Sequence, residues 1–175
     1  MKSLLNLLFL LPVIFSFGQN GFPATWEGKW KGTLEIHAPI GKVQELPMEL
    51  HILPIGDSGH FTWTIIYGED KEAGKRPYEL IPLDPAKGLY AIDEKNSIRM
   101  EGYLLGGKFH QWFEVEGSLL VTTTWLDGEA LYWEITVSGT KPVSVTGGQE
   151  WEGNEIPPVK TFPVLSMQRA RLVRG

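Results

Sequence analysis

The chain has 175 residues, 21 of them acidic and 16 basic, for a formal net charge of −5. A mildly acidic chain of this kind is a poor fit to nucleic acid or to an anionic membrane surface. It contains no cysteine, which excludes a disulfide scaffold and thiol chemistry and leaves the hydrophobic core to hold the fold.

Residues 1–18 read as a secretory signal peptide. Met1-Lys2 supplies a positive charge, Leu4 to Phe17 is almost wholly apolar, and Ser16-Phe17-Gly18 sets small residues at the cleavage positions. The apolar run is short for a membrane span; a retained N-terminal anchor is the alternative. Export without disulfides points to a bacterial periplasm or exterior. Residues 19–175 have the size of one domain.

From Trp26 onward the chain alternates. Trp26, Gly28, Trp30, Gly32, Leu34 and Ile36 take one parity; Glu27, Lys29, Lys31, Thr33 and Glu35 take the other. A period of two is the mark of a half-buried strand. Leu46 to Ile52 and Phe61 to Tyr67 repeat the pattern, Tyr78 to Leu83 and Leu89 to Ile92 show it less clearly, and Ile98 to Leu104 resumes it. Three further runs carry Phe109, Gln111, Phe113 and Val115, then Leu119, Val121, Thr123 and Trp125, then Leu131, Trp133, Ile135 and Val137 on the inward parity. Turn residues such as Gly56-Asp57-Ser58-Gly59, Gly106-Gly107, Glu116-Gly117 and Asp127-Gly128 separate the runs. Sequential hairpins predict an all-β, up-and-down antiparallel meander barrel of about eight to ten strands.

The turns also predict register. A two-residue loop at Gly106-Gly107 pairs Leu104 with Phe109. Three-residue loops at Glu116-Gly117-Ser118 and Asp127-Gly128-Glu129 pair Phe113 with Val121 and Thr123 with Trp133. Residues 138–163 hold four prolines and four glycines and read as a long loop, with Trp151 as a lid. Val164 to Arg174 returns to strand composition and would pair with the first strand, closing the sheet.

These features together resemble the calycin superfamily, the lipocalin-like β-barrels. Gly28-Lys29-Trp30 matches the lipocalin Gly-x-Trp, a meander follows, and the last strand carries arginines. The chain is similar to a divergent member, with a Gly/Pro-rich loop before the last strand where lipocalins carry a helix. The resemblance implies that a basic side chain, Arg169 or Arg171, packs over Trp30 and closes the barrel beside Gly28.

No catalytic or metal set emerges. His37, His51, His60 and His110 fall on the polar parity and on separate strands, without zinc-ligand spacing. The pattern offers no inward carboxylate pair, no nucleophile elbow and no phosphate-binding glycine loop. No cofactor is implied.

The inward residues are mostly apolar and aromatic. Trp63, Tyr67, Gln111, Phe113, Thr123 and Trp133 are the expected lining of a ligand pocket. Gln111 and Thr123 either bond each other or orient a ligand's polar end. The leading expectation is an exported, non-catalytic binder of a small apolar or amphipathic molecule. The alternative is a packed structural or interaction protein of the cell envelope, with outward Trp112 and Tyr132 as a partner patch. An enzyme working in a barrel mouth is a third reading.

Overall fold

Ten antiparallel strands realise the period-two patterning, and each hairpins to the next in sequence. The computed structural model describes residues 21–175; the expected signal peptide, 1–18, lies outside the described residues. The barrel strands are β1 (Gly28–Ala38), β2 (Gly41–Ile52), β3 (Phe61–Tyr67), β4 (Lys75–Asp84), β5 (Leu89–Asp93), β6 (Arg99–Leu105), β7 (Lys108–Val115), β8 (Ser118–Asp127), β9 (Ala130–Gly139) and β14 (Val164–Arg174). Their order round the sheet is β1-β14-β9-β8-β7-β6-β5-β4-β3-β2, a closed up-and-down barrel. The last strand pairs with the first from Trp30↔Arg174 to His37↔Met167, so neither is left as an edge.

One end of the barrel is plugged. A 3-10 turn, Ala24–Trp26, carries Trp26 into the core. Phe22 packs against Trp26 at 4.6 Å, Tyr90 at 4.8 Å and Phe109 at 5.6 Å, and Trp63 meets Phe109 at 5.8 Å. Edge-on and offset ring pairs of this kind add to the area they bury. The Trp30 indole N–H donates to the Trp26 carbonyl at 2.9 Å, satisfying a buried donor. At the other end the inward side chains of Ile36, Leu46, Tyr67, Tyr78, Met100, Phe113 and Ile135 are only half-buried.

The basic cap on Trp30 is Arg174, not Arg169 or Arg171. The Arg174 guanidinium carbon lies 4.5 Å from the Trp30 ring centre, and Nη1 donates to the Glu27 carbonyl. Parity decides this: Ala170 and Leu172 are buried inward, so Arg174 shares their face. Arg169 and Arg171 face outward, and Arg169 pairs with Glu35 at 2.9 Å. Gly28 earns its place in the Gly-x-Trp motif sterically. At φ +153°, a Cβ there would stand 2.9 Å from Arg174 Nη1 and 3.4 Å from Trp30 Nε1, filling the space through which the cation reaches the indole.

The expected register fails on one strand. Both loops flanking β8 hold two residues, not three: Val115 pairs with Ser118, and Asp127 pairs with Ala130. Glu116 and Gly117 both take positive φ, 50° and 75°, the requirement of the tight hairpin turn that suits strand twist. Leu120, Thr122, Thr124 and Leu126 therefore share the inward parity, and Thr123 and Trp125 face out. The two errors have opposite sign, so β9 keeps its expected face, with Leu131 and Trp133 buried.

The 138–163 segment is a hairpin rather than a featureless loop. β10 (Ser144–Thr146) pairs with β13 (Val159–Thr161), and β11 (Glu150–Trp151) with β12 (Asn154–Glu155) at its tip. Trp151 is 68% exposed and so covers nothing as a lid.

Candidate ligand-binding site

The structure divides the six expected lining residues. Trp63 sits deep in the aromatic plug. Tyr67 and Trp133 come together near the open end, rings 6.5 Å apart and edge to face. Gln111 is buried in the wall and Phe113 is half-buried beyond it. Thr123 is corrected to the outer face, where its hydroxyl lies 3.1 Å from His110 Nδ1. The buried partner is its neighbour Thr122, whose hydroxyl lies 3.5 Å from Gln111 Oε1. Apolar residues on both parities of β8 concealed that choice.

Tyr67 is an interior polar group without a hydrogen bond to protein. It ends β3, directly opposite Met48. Burial pushes its phenol well above the ordinary range, with Tyr78 adding to the rise and Arg76 opposing it. No buried side-chain oxygen or nitrogen among the described residues lacks a hydrogen-bond partner. The Tyr67 hydroxyl makes no hydrogen bond to protein, so it must reach water. It is a donor and acceptor held among apolar groups and open to an incoming molecule. Tyr78 belongs to the same wall, its phenol also raised by burial and then by Glu94. Sequence reading missed Tyr78, whose strand alternates weakly around Pro77 and Pro82.

Gln111 ties the barrel wall together from inside. Its Nε2 donates to the Met100 carbonyl on β6 at 3.2 Å. Gly102 makes this packing fit: a Cβ there would stand 2.5 Å from the Phe109 ring and 2.6 Å from Gln111 Cγ. Outside, a groove of about 1180 Å³ runs over the same junction, bounded by Glu101, Tyr103, Leu105, Trp112 and Glu114, with Met100 and Phe113 at its floor.

Other polar groups form pairs on the outer surface. Glu49 accepts from Lys71 at 2.6 Å and lies 2.8 Å from His51, and its carboxyl is held below the usual range, chiefly by Lys71. Trp125 stacks on Tyr132 at 5.1 Å with Lys108 over its ring at 4.4 Å. Tyr132 thus partners Trp125, while Trp112 stands opposite Val121, so the two do not form one patch. Among the described residues no group of three or more His, Asp or Glu could hold a metal ion. Nor is any helix among them long and apolar enough to cross a membrane.

The class defined by this geometry is a closed ten-stranded antiparallel barrel, filled by aromatic side chains at one end and lined by half-buried ones at the other. No family model matches the chain, and no curated protein matches it. Among solved structures it is similar to a protein of unknown function of the DUF3598 family from Nostoc punctiforme, at 12% identity and a TM-score of 0.56. The match covers 85% of this chain and 47% of that one, so the chain spans about half the length of that protein. At this identity the likeness shows the fold alone. The barrel is consistent with the calycin-like resemblance, and no family match establishes it.

Proposed function

We propose that the protein is a non-catalytic binder of a small amphipathic molecule, held in the open half of the barrel. The supporting observation is Tyr67: a desolvated phenol with no protein partner, flanked by Trp133 and Tyr78 and within electrostatic reach of Arg76. A ligand's apolar body would lie against Trp133, Met100 and Phe113, stabilised by about 25 cal/mol per Å² of apolar area buried. Its polar end would take the Tyr67 hydroxyl, and a carboxylate would also suit Arg76. Apolar pockets use a few placed polar groups in this way.

The test is a titration with lauric acid, retinol and protoporphyrin, read by tryptophan emission. A saturable change that weakens about two- to tenfold in Tyr67→Phe, the worth of one hydrogen bond, is expected. No response from any of the three would favour a packed interaction protein. Export is part of the proposal, supported by the composition of residues 1–18. Mature protein recovered outside the cytoplasm and beginning at Gln19 would bear it out.

A further inference from the structure

The barrel wall has a seam. β6 and β7 leave the Gly106-Gly107 turn as a ladder, but only Leu105↔Lys108, Leu104↔Phe109 and Tyr103↔His110 pair. Beyond them the two strands are in register and do not pair. Each is fully laddered on its far side: β6 to β5 from Leu89↔Tyr103 to Asp93↔Arg99, and β7 to β8 from Lys108↔Trp125 to Val115↔Ser118. In an antiparallel sheet alternate residues address the same neighbour. Tyr103 and Leu105 address β7, so Glu101 and Arg99 do too; by the same rule Trp112 and Glu114 address β6. The missing rungs are Glu101 with Trp112 and Arg99 with Glu114. Their backbone N–H and C=O groups form two short edges facing each other, in a fold whose closure otherwise removes edges.

The side chains round the seam are unusual for a barrel exterior. Trp112 is 70% exposed, Leu105 56%, Ile98 47% and Tyr103 46%. These are the residues that bound the outer groove, together with Glu94, Glu101 and Glu114 against Arg99. We propose that the β6–β7 seam is a docking site for an extended, basic polypeptide segment, which adds a β-strand to one of these edges. Strand addition supplies main-chain hydrogen bonds, and alternate side chains reach opposite faces. Here one set would meet Met100 and Phe113 and the other Trp112 and Tyr103. The three glutamates select lysine or arginine flanks and make a second copy of this chain a poor occupant, since like charges would face each other. The site shares Met100 and Phe113 with the small-molecule reading, but its main-chain edges do not depend on that reading, and the seam amides report on them separately.

The experiment uses the whole protein and amide hydrogen exchange followed by NMR. The probe is an end-blocked nonapeptide of alternating valine and lysine, up to 1 mM. Saturable binding is expected, with at least tenfold slower exchange at the Glu101 and Arg99 amides or at the Trp112 and Glu114 amides. Methylating alternate backbone nitrogens of the peptide should abolish it, and a valine–glutamate peptide should bind at least tenfold more weakly. The double substitution Glu101→Lys with Glu114→Lys, both on exposed side chains, should reverse that charge preference. The proposal is overturned if the seam amides are already protected in the free protein, or if no peptide slows them. Equal binding of the methylated peptide, or slowing that follows dimerisation of the protein itself, also overturns it.

Discussion

The two ends of this barrel are built from similar residues and do different things. At the plugged end Trp26, Trp30, Phe22, Tyr90 and Phe109 interlock, and the polar groups there are bonded to protein: Trp30 N–H to Trp26 O, Tyr90 hydroxyl to Phe22 O, Arg174 to Glu27 O. At the open end Tyr67, Tyr78, Met100 and Phe113 are half-buried, and the Tyr67 hydroxyl has no protein partner. Aromatic content therefore does not distinguish a core from a binding site. Completion of packing and of hydrogen bonding does, since interiors close to crystal-like density leave no room for a guest.

Substitutions should separate the ends by size of effect. Trp30→Ala should be the most damaging, lowering stability by about 3–5 kcal/mol in urea unfolding, because it empties a fully packed site. Phe113→Ala, which removes a smaller ring at the open end, should cost only about 1 kcal/mol, since a half-exposed side chain has less burial to lose. Equal losses would erase the distinction between the ends. Gly102→Ala should fall between them at about 1–3 kcal/mol, because its new methyl overlaps Phe109 and Gln111 where both are buried.

Smaller changes sharpen the picture. Arg174→Ala should cost about 0.5–1 kcal/mol, the worth of an exposed cation–π contact, and should alter the near-ultraviolet circular dichroism of Trp30. Arg169→Ala and Arg171→Ala should leave that spectrum unchanged. Glu49 provides a pH test of an ionic tie between β2 and the turn carrying Lys71. Its folded carboxyl titrates below the ordinary 4.5, so its contribution is present above that pH and is lost as pH falls through the folded value. Glu49→Gln should flatten the fall of the urea midpoint between pH 5 and 3 measured against wild type. Tyr67→Phe should change stability least of all, because no protein hydrogen bond is removed.

Legibility in the sequence followed chemical asymmetry. β1 was readable because Trp30 and Leu34 alternate with charged residues, and a slip of one would bury Lys31. β9 was readable because Glu134 marks the outer face between Trp133 and Ile135. β8 was not: Leu119-Leu120-Val121 and Trp125-Leu126 put apolar residues on both parities. Its face depends on whether Ser118 belongs to the turn or the strand, and a three-residue turn puts Thr123 inside in place of Thr122. The histidines' outward positions were legible, as each follows the polar parity. Gln111 follows the inward parity of its own strand, but its bond to Met100 is not legible there, because it crosses to the neighbouring strand.

The sequence by itself determined the succession of barrel strands, because side-chain alternation and positive-φ turn residues are local properties of the chain. They specify antiparallel hairpins without reference to anything distant. Only the tertiary structure decided which arginine covers Trp30, how the plug fills one end, and where the wall stops pairing. Each of these depends on closure of the ring, which brings Trp30 against Arg174 and leaves Glu101 and Trp112 unpaired. Closure is a compromise among all ten strands at once, and no single strand carries its signature.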